Sequence, residues 1–528
     1  MSSLHGDKEV HRSGTGVLTI GKEIGFDLKH IDEYGFEYGS KDLRIMLINP
    51  PVSFDMFYGE WDMSDVKSSS PPIGILSLAS TVRKYGYQVK ILDAHAEGLS
   101  MSNIVKEIEA YNPQVVGLTA MTVMISASAE IAKAIKEYDP KITTIIGGVH
   151  FTAEPIETLK RYPQFDFGVV GEGEIVLTEF LERLRKVEDL ANVQSLVWKG
   201  NGIHVNQRRS FFKSLDEFLP PAFDLVPNLF NHYRLSVFGT RKFRSVGLVT
   251  SRGCTGECTF CDLGVVGRGY RSNSASYLIN LMKDLYEKYN VSDFLFYDDL
   301  FVGSRPRLKE ICEWIIREKL PFTWSCCARA DFLHPDMMAL MKQAGCWMVE
   351  VGIESGCQRI MDSMRKNVTK ERVRQCVNSV NEAGIVCKGN FIFGNPGETH
   401  DSIRETIDFA CSLKLNYAQH TFLQPLPGSE LYETAGMYGE FDPSWDRFNT
   451  FSINFIPTGF TRDDMVWYSK YFWRKFYLRP HILWQEIKKI RCREDIKRAW
   501  LSFKAFVKTV IYKRKLPEFI QRQTINAH

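Results

Sequence analysis

Apolar runs alternating with amphipathic stretches begin at Leu43 and continue, with one interruption, to about residue 430. LRIMLINP is a short run rich in β-formers that ends at a proline. IGILSLASTVRKYG has helical spacing. QVKILDA reads as a second strand, SNIVKEIEAY as a helix and QVVGLTAM as a third strand. SASAEIAKAIKEY, ITTIIGG, IETLKRYP, FDFGVVGEG and EIVLTEFLERLRK carry the alternation on to a fifth strand and a closing helix. Strands separated by helices of this length predict parallel βαβ units. Residues 41–190 are therefore expected to form a doubly wound, Rossmann-like domain, whose ligands lie beyond the carboxyl ends of the strands.

The rest of the chain divides by the same criterion. Residues 1–40 show weak periodicity and read as an extension. Residues 191–242 read as a connection, with short strands (SLVWKG, IHVNQ) and the irregular FLPPAFDLVP. A second series starts at 243 with FRSVGLVTSRGC. It runs through SDFLFYDDLF, FTWSCCARA, WMVEVGIES, IVCKGNFIFG and YAQHTFLQPLP, each strand separated by a helix. Six β/α units are fewer than a closed eight-stranded barrel needs, so residues 243–455 predict a partial, open barrel. Residues 456–528 read as a helical region rich in aromatic and basic side chains.

Composition changes this picture little. Hydrophobic residues make up 44% and charged residues 24% of 528, as in an ordinary soluble protein. A net charge of +3 gives no reason to expect a nucleic-acid partner. The polar start MSSLHGDKEVHRSG lacks an apolar signal core, and no apolar run is long enough to span a bilayer, so a cytoplasmic location is expected. The cysteines say more. All twelve lie at or after Cys254, and nine of them are scattered through apolar stretches as buried thiols would be.

The other three are clustered. SRGCTGECTFCDLG places Cys254, Cys258 and Cys261 in a C-x-x-x-C-x-x-C pattern on the loop after the first strand of the second series. Loops at that end of barrel strands are where barrel chemistry sits. Thiolates are the natural ligands of iron–sulfur clusters, and three leave one iron open to a further ligand. A zinc knuckle would need a second Cys or His pair, and none follows at suitable spacing.

A C-x-x-x-C-x-x-C loop opening a (β/α) series resembles the radical SAM superfamily. The resemblance implies a [4Fe–4S] cluster held by the three cysteines, with S-adenosylmethionine (SAM) on the open iron and reductive cleavage of SAM to a 5′-deoxyadenosyl radical. It also implies SAM contacts from Phe260 in CTFC, from Asp298 and Asp299 at the end of DFLFYDDLF, and from Arg329 after the third strand. Glu354 and Ser355 resemble the ribose-side contacts, and Ile392, Gly394 and Glu398 of FIFGNPGET the adenine-side contacts.

A doubly wound domain ahead of such a barrel resembles the cobalamin-dependent (class B) members of that superfamily. INPP, PPIGILSLAS, VVGLTAM, IIGGVHFTAEP and VVGEGE occur in the expected order. The resemblance implies cobalamin contacts at Thr119, Thr122, Gly147, Gly148, Gly171, Glu172 and Gly173. Asp93, His95 and Gly98 spell D-x-H-x-x-G, the motif whose histidine ligates cobalt in methionine synthase-like proteins. Here it follows the second strand, not the first, so His95 is read as a loop residue and a base-off cofactor with no protein histidine on cobalt is expected.

The family resemblance implies methylation of an unactivated carbon in an organic small-molecule substrate, a hydrophobic one among the readings, with an external electron donor such as a flavodoxin or ferredoxin. Oxidative cyclisation or rearrangement of a tetrapyrrole or lipid by the same cofactors stays open, as does, from another class, a non-catalytic cobalamin sensor. Between Lys488 and Lys515 eleven residues are basic and two acidic, with Ile496, Trp500, Phe503, Val507 and Val510 on one helical face. That face either rests on an anionic membrane surface as a peripheral contact or packs on the barrel.

Overall fold

In the computed structural model, residues 36, 40–52, 69–226, 233, 235, 239–242, 244–449, 452–489, 500 and 504 are described. The first sheet is built on β1 (Arg44–Asn49), whose apolar side chains are covered on both faces. It pairs in parallel with β2 (Gln88–Asp93) on one side and β3 (Val115–Thr119) on the other. β4 (Thr143–Gly147) and β5 (Phe167–Val169) continue the sheet in parallel. The order β2-β1-β3-β4-β5 reverses direction between β1 and β3, the switch point at which such sheets bind ligands. Near-continuous apolar strands such as RIMLIN are what burial on both faces requires.

The doubly wound expectation holds, with one addition. β6 (Leu196–Gly200) and β7 (Gly202–Val205), from the segment read as a connection, join the sheet antiparallel at the β5 edge. A hairpin covers an edge that would otherwise present unpaired backbone groups.

The second sheet is a six-stranded parallel half-barrel in simple sequence order. It contains β8 (Ser245–Leu248), β9 (Asp293–Phe296), β10 (Thr323–Arg329), β11 (Cys346–Glu354), β12 (Val386–Phe393) and β13 (Tyr417–Phe422). Alternation decides what faces where. Trp324, Cys326, Val349, Val351, Cys387, Phe391 and Phe393 are buried in the helix-side core. Cys327, Glu350 and Lys388, register partners across three strands, occupy the other face. Hydroxyl caps begin several covering helices, with Ser274 and Thr369 accepting from the N3 amides and Thr399 forming a reciprocal capping box with Ser402.

The two units share one continuous apolar cluster, which includes Leu76, Phe180, Phe223, Leu248 and Leu281. A segment after the barrel also reaches back to the first domain. Trp445 packs edge-on against buried His150 at 4.3 Å, and Ser126 donates to Asp446 at 2.5 Å. Helices Arg462–Tyr477 and Pro480–Lys489 follow. The amphipathic face expected over 496–510 lies outside the described residues apart from Trp500 and Lys504. Among the described residues no helix is long and apolar enough to cross a membrane.

Candidate functional site

The carboxyl ends of both sheets face a shared cavity of about 500 Å³. Leu47, Thr119, Gly147 and Gly148 line it from the first domain, and Val249, Asp262, Tyr297 and Asp299 from the second. Gly171, Glu172 and Gly173 line it as well. Gly148 has φ +99°, and an added Cβ would stand 2.8 Å from the Ala120 carbonyl oxygen and from Thr119 Oγ1. Only glycine allows this turn to close against β3 while leaving the backbone open to the cavity. Gly74, at the start of helix Ile73–Lys84, also lines the cavity, and a Cβ there would meet nothing within 4 Å.

Not every residue expected in this pocket reaches it. Thr122 Oγ1 lies 3.3 Å from His150 Nδ1, inside the domain, and Thr122 does not line the cavity. The Glu172 carboxylate accepts from Arg252 at 2.7 Å and from Arg271 at 3.0 Å, so its charge is committed to the second domain. A buried carboxylate pairs with the nearest cations before it can serve a neutral ligand.

His95 does not line the cavity either. It sits on the one-turn helix Ala94–Glu97, with Nδ1 3.1 Å from the Val52 carbonyl oxygen. Asp93 is the N-cap of that turn, and Gly98, at φ +64°, ends it. The D-x-H-x-x-G spelling is thus explained by helix capping. Asp93 also accepts from Asn49 Nδ2 and Tyr233 Oη, both at 2.8 Å. His95→Ala should leave the absorption spectrum of bound cobalamin unchanged, whereas Asp93→Ala should lower stability by roughly 1–3 kcal/mol. A spectral change at cobalt in the His95 variant would restore the histidine as a ligand.

The cysteine loop spans residues 253–270 and is closed at its neck by an antiparallel pair, Ser251–Arg252 against Arg271–Ser272. Gly253 has φ +83°, and a Cβ there would lie 2.3 Å from the Gly269 carbonyl oxygen. The loop is tied down independently of any metal. Thr259 N donates to the Met364 carbonyl at 3.1 Å, and Leu431 N donates to the Thr259 carbonyl at 3.0 Å. Arg329 Nη1 lies 3.7 Å from Cys258 Sγ and is itself oriented by Asp331 at 3.0 Å. Burial pushes the Cys261 thiol up to about 12, and the charges of Cys258, Asp299, Cys254 and Asp262 add to the shift. Burial of the Cys261 thiol fits ligation to a polynuclear cation, which supplies the positive charge that a thiolate there needs. Among the described residues no three His, Cys, Asp or Glu side chains converge on one point as a single-ion site requires.

Several expected SAM contacts border this loop. Phe260 packs against two buried clusters, one of Leu423, Leu431, Ala435 and Phe455, which Ile392 also joins, and one of Cys357, Ile360 and Met364. Asp299 lines the cavity and accepts from Gly253 N at 3.1 Å. Glu354, at φ +66°, is paired with Lys366 at 2.7 Å. Asp298 and Ser355 are hydrogen-bonded within the protein. Asp298 is buried and accepts from Thr250 N at 2.7 Å, which fixes the end of β8. Ser355 is fully buried, with Oγ 3.0 Å from Thr406 Oγ1 and accepting from Cys357 N. Asp298 and Asp299, like Glu354 and Ser355, thus bond to different neighbours although they are adjacent in the chain.

Glu398 holds the loop after β12. Its Oε2 accepts from Gly394 N at 2.6 Å and Asn395 N at 2.9 Å, while Oε1 is buried without a partner. Burial pushes this carboxyl up to about 7, against the opposing pull of the two amides and Arg359. The folded protein therefore holds the proton more tightly than the unfolded chain. The group costs nothing below the ordinary carboxylate range, and its penalty grows as pH rises to about 7, reaching about 3 kcal/mol. Denaturant unfolding at about pH 5 and about pH 8 should show this loss in the wild type and a much smaller one in Glu398→Gln. Identical pH dependence in the two proteins would mean that the carboxyl ionises normally.

Sequence reasoning missed Arg252, Arg271 and Glu174, which join the two halves of the site, as well as Gly74, Asp262 and Tyr297. The motifs VVGEGE and SRGC are visible in the sequence, but nothing in either announces that they pair across about eighty residues.

Comparison with known proteins supplies two domain matches. Residues 62–181 match the B12 binding domain, and residues 248–410 match the Radical SAM superfamily. An uncharacterized methyltransferase of Pyrococcus horikoshii is 31% identical over 452 residues, covering 85% of this chain and 95% of the relative. The cytidylyl-2-hydroxyethylphosphonate methyltransferase of Streptomyces wedmorensis is 25% identical, covering 76% of this chain and 83% of its own. The anaerobic magnesium-protoporphyrin IX monomethyl ester cyclase of Rubrivivax gelatinosus is also 25% identical, covering 80% of this chain and 76% of its own. Among solved structures, the cobalamin-dependent S-adenosylmethionine radical enzyme OxsB superposes with a TM-score of 0.69 at 17% identity, over 92% of this chain and 75% of that one.

Proposed function

This chain belongs to the cobalamin-dependent radical SAM enzymes, and we propose that it methylates an unactivated carbon of a small organic substrate. The observation that carries the proposal is one cavity lined both by the glycines at the switch point of the first sheet and by Asp262, Leu263, Val265 and Val266, which follow the third cysteine in the loop of the second. A methyl carrier and a radical source serve one reaction only if they face one substrate volume.

Each part of the chain has a physical task in this reading. Cys254, Cys258 and Cys261 would hold the [4Fe–4S] cluster. Phe260, Asp299, Arg329, Glu354, Ile392, Gly394 and Glu398 surround or support the adjacent SAM position. Thr119, Gly147, Gly148, Gly171 and Gly173 would carry cobalamin along the ends of β3, β4 and β5. When bound, the three cofactors supply a radical able to take hydrogen from carbon and a methyl group to replace it. Burial of the site between two packed units excludes water from such species. The polar face of the half-barrel, with Glu350 2.9 Å from Lys388, is the surface left for the substrate.

The test is the fate of SAM. Methylation with cobalamin consumes two SAM molecules in different ways, so the reconstituted protein with a reductant should form both 5′-deoxyadenosine and S-adenosylhomocysteine. Formation of 5′-deoxyadenosine alone, with cobalamin bound and reduced, would point away from methylation and toward cyclisation. Formation of neither would favour a binding protein.

A further inference from the structure

The neck of the cysteine loop contains an electrostatic problem that the first domain solves. Arg252 and Arg271 are cross-strand partners there, so two guanidinium groups stand side by side and largely out of water. Like charges so placed repel strongly in a poorly polarisable interior. Both are answered from the loop after β5. Glu172 accepts from Arg252 at 2.7 Å and from Arg271 at 3.0 Å, and Glu174 accepts from the other Arg252 nitrogen. Glu172 and Glu174 are both buried. Phe218 lies under Arg252 at 5.5 Å and Phe211 under Arg271 at 5.0 Å. Arg271 is further fixed by the carbonyls of Phe212 at 3.0 Å and Val266 at 2.7 Å.

The position of this network gives it a consequence. Glu172 lies between Gly171 and Gly173, which line the cavity at the first sheet. Arg252 lies two residues before Cys254. One ion pair therefore joins the wall of the expected cobalamin pocket to the root of the expected cluster loop. We infer that Glu172 and Glu174 are positioning residues, which lock the cobalamin pocket to the neck of the cluster loop and so fix the separation and orientation of the two cofactors. Rigid packing alone would let the two units slide over their shared apolar face, because apolar contact is not directional. Charge-assisted pairs between buried partners are directional. Both glutamates border the cavity, but their carboxylates are engaged by the arginines.

The inference rests on the cofactor positions given under Proposed function, and the experiment separates the two. Iron, sulfide and cobalamin contents of the reconstituted wild-type protein test the positions. Pulsed EPR of the dipolar coupling between cob(II)alamin and the reduced cluster then tests the clamp. The wild type should give one narrow distance distribution. Glu172→Gln should keep both cofactors yet lose that single narrow distance, and Glu172→Asp, which keeps the charge, should recover most of it. Glu174→Gln, in which Glu172 still bridges both arginines, covers the case in which Glu172→Gln does not fold, and should broaden the distribution less. An unchanged distribution in the folded variants would overturn the inference. Loss of cobalamin from Glu172→Gln with the cluster and the protein fold intact would overturn it too, because it would make Glu172 a direct ligand.

Discussion

Cys254→Ala should fold normally and yet show no reduced-cluster EPR signal, with SAM cleavage reduced to background. Folding is expected to survive because backbone contacts hold the loop. Thr259 binds Met364 and Leu431 by hydrogen bonds, and Gly253 closes the neck with its positive φ. The cluster should not survive, because three thiolates leave no reserve ligand. Losing one exposes a second iron and removes one of the charges that balance the cluster. The same result is expected for Cys258 and Cys261. Cys411→Ala is the control. That thiol is half-buried on a distant helix beside Arg479, and its loss should leave both signals in place. Persistence of the EPR signal and of SAM cleavage in Cys254→Ala would refute the ligand set.

Gly74→Trp should abolish cobalamin binding without disturbing the fold. The position is unusual in being open on the cavity side, with nothing within 4 Å of a built Cβ. An indole there would occupy cavity volume, and its Cβ would meet no neighbour. The expected loss of affinity is roughly 100-fold or more, or about 2.7 kcal/mol. The melting temperature of the apoprotein should change little. Gly168 provides the contrast, since its Cβ would fall 2.0 Å from the Phe151 ring, and any substitution there should damage the domain itself. Titration with hydroxocobalamin, followed by absorbance, checks both. Wild-type uptake by Gly74→Trp would place cobalamin somewhere other than this cavity.

Much of this architecture was legible in the chain. Short apolar runs between amphipathic stretches located all five parallel strands of the first sheet and all six of the half-barrel; in the first sheet a run such as RIMLIN is near-continuously apolar because its strand is covered on both faces. The cysteine spacing is local, so its chemistry could be read without knowing the fold. Gly148 and Gly171, at φ +99° and +84°, were legible for the same reason, since each serves a turn that follows closely on a strand.

The side-chain directions were less legible, for a common reason. Asp298 and Asp299 are equivalent as letters, yet one is buried against Thr250 and the other lines the cavity. Ser355 follows Glu354 and turns the other way, toward Thr406. Thr122 follows the right strand but faces His150. Glu172 lies in the right motif, but its charge is taken by arginines about eighty and one hundred residues away. In each case the residue type was correctly recognised as polar and placed near the site. Its direction depended on partners that sequence adjacency does not name.

The sequence by itself determined the two αβ units, their order, the cluster ligand spacing and the glycine turns, because backbone periodicity, thiolate chemistry and positive-φ turns act over a few residues. Only the tertiary structure decided that β6 and β7 close the first sheet, that D-x-H-x-x-G is a capped helical turn, and that Arg252 and Arg271 answer to Glu172 and Glu174. Those outcomes depend on which distant groups meet when two apolar faces pack. A buried charge takes the partner that packing brings to it, and that partner is set by three-dimensional proximity alone.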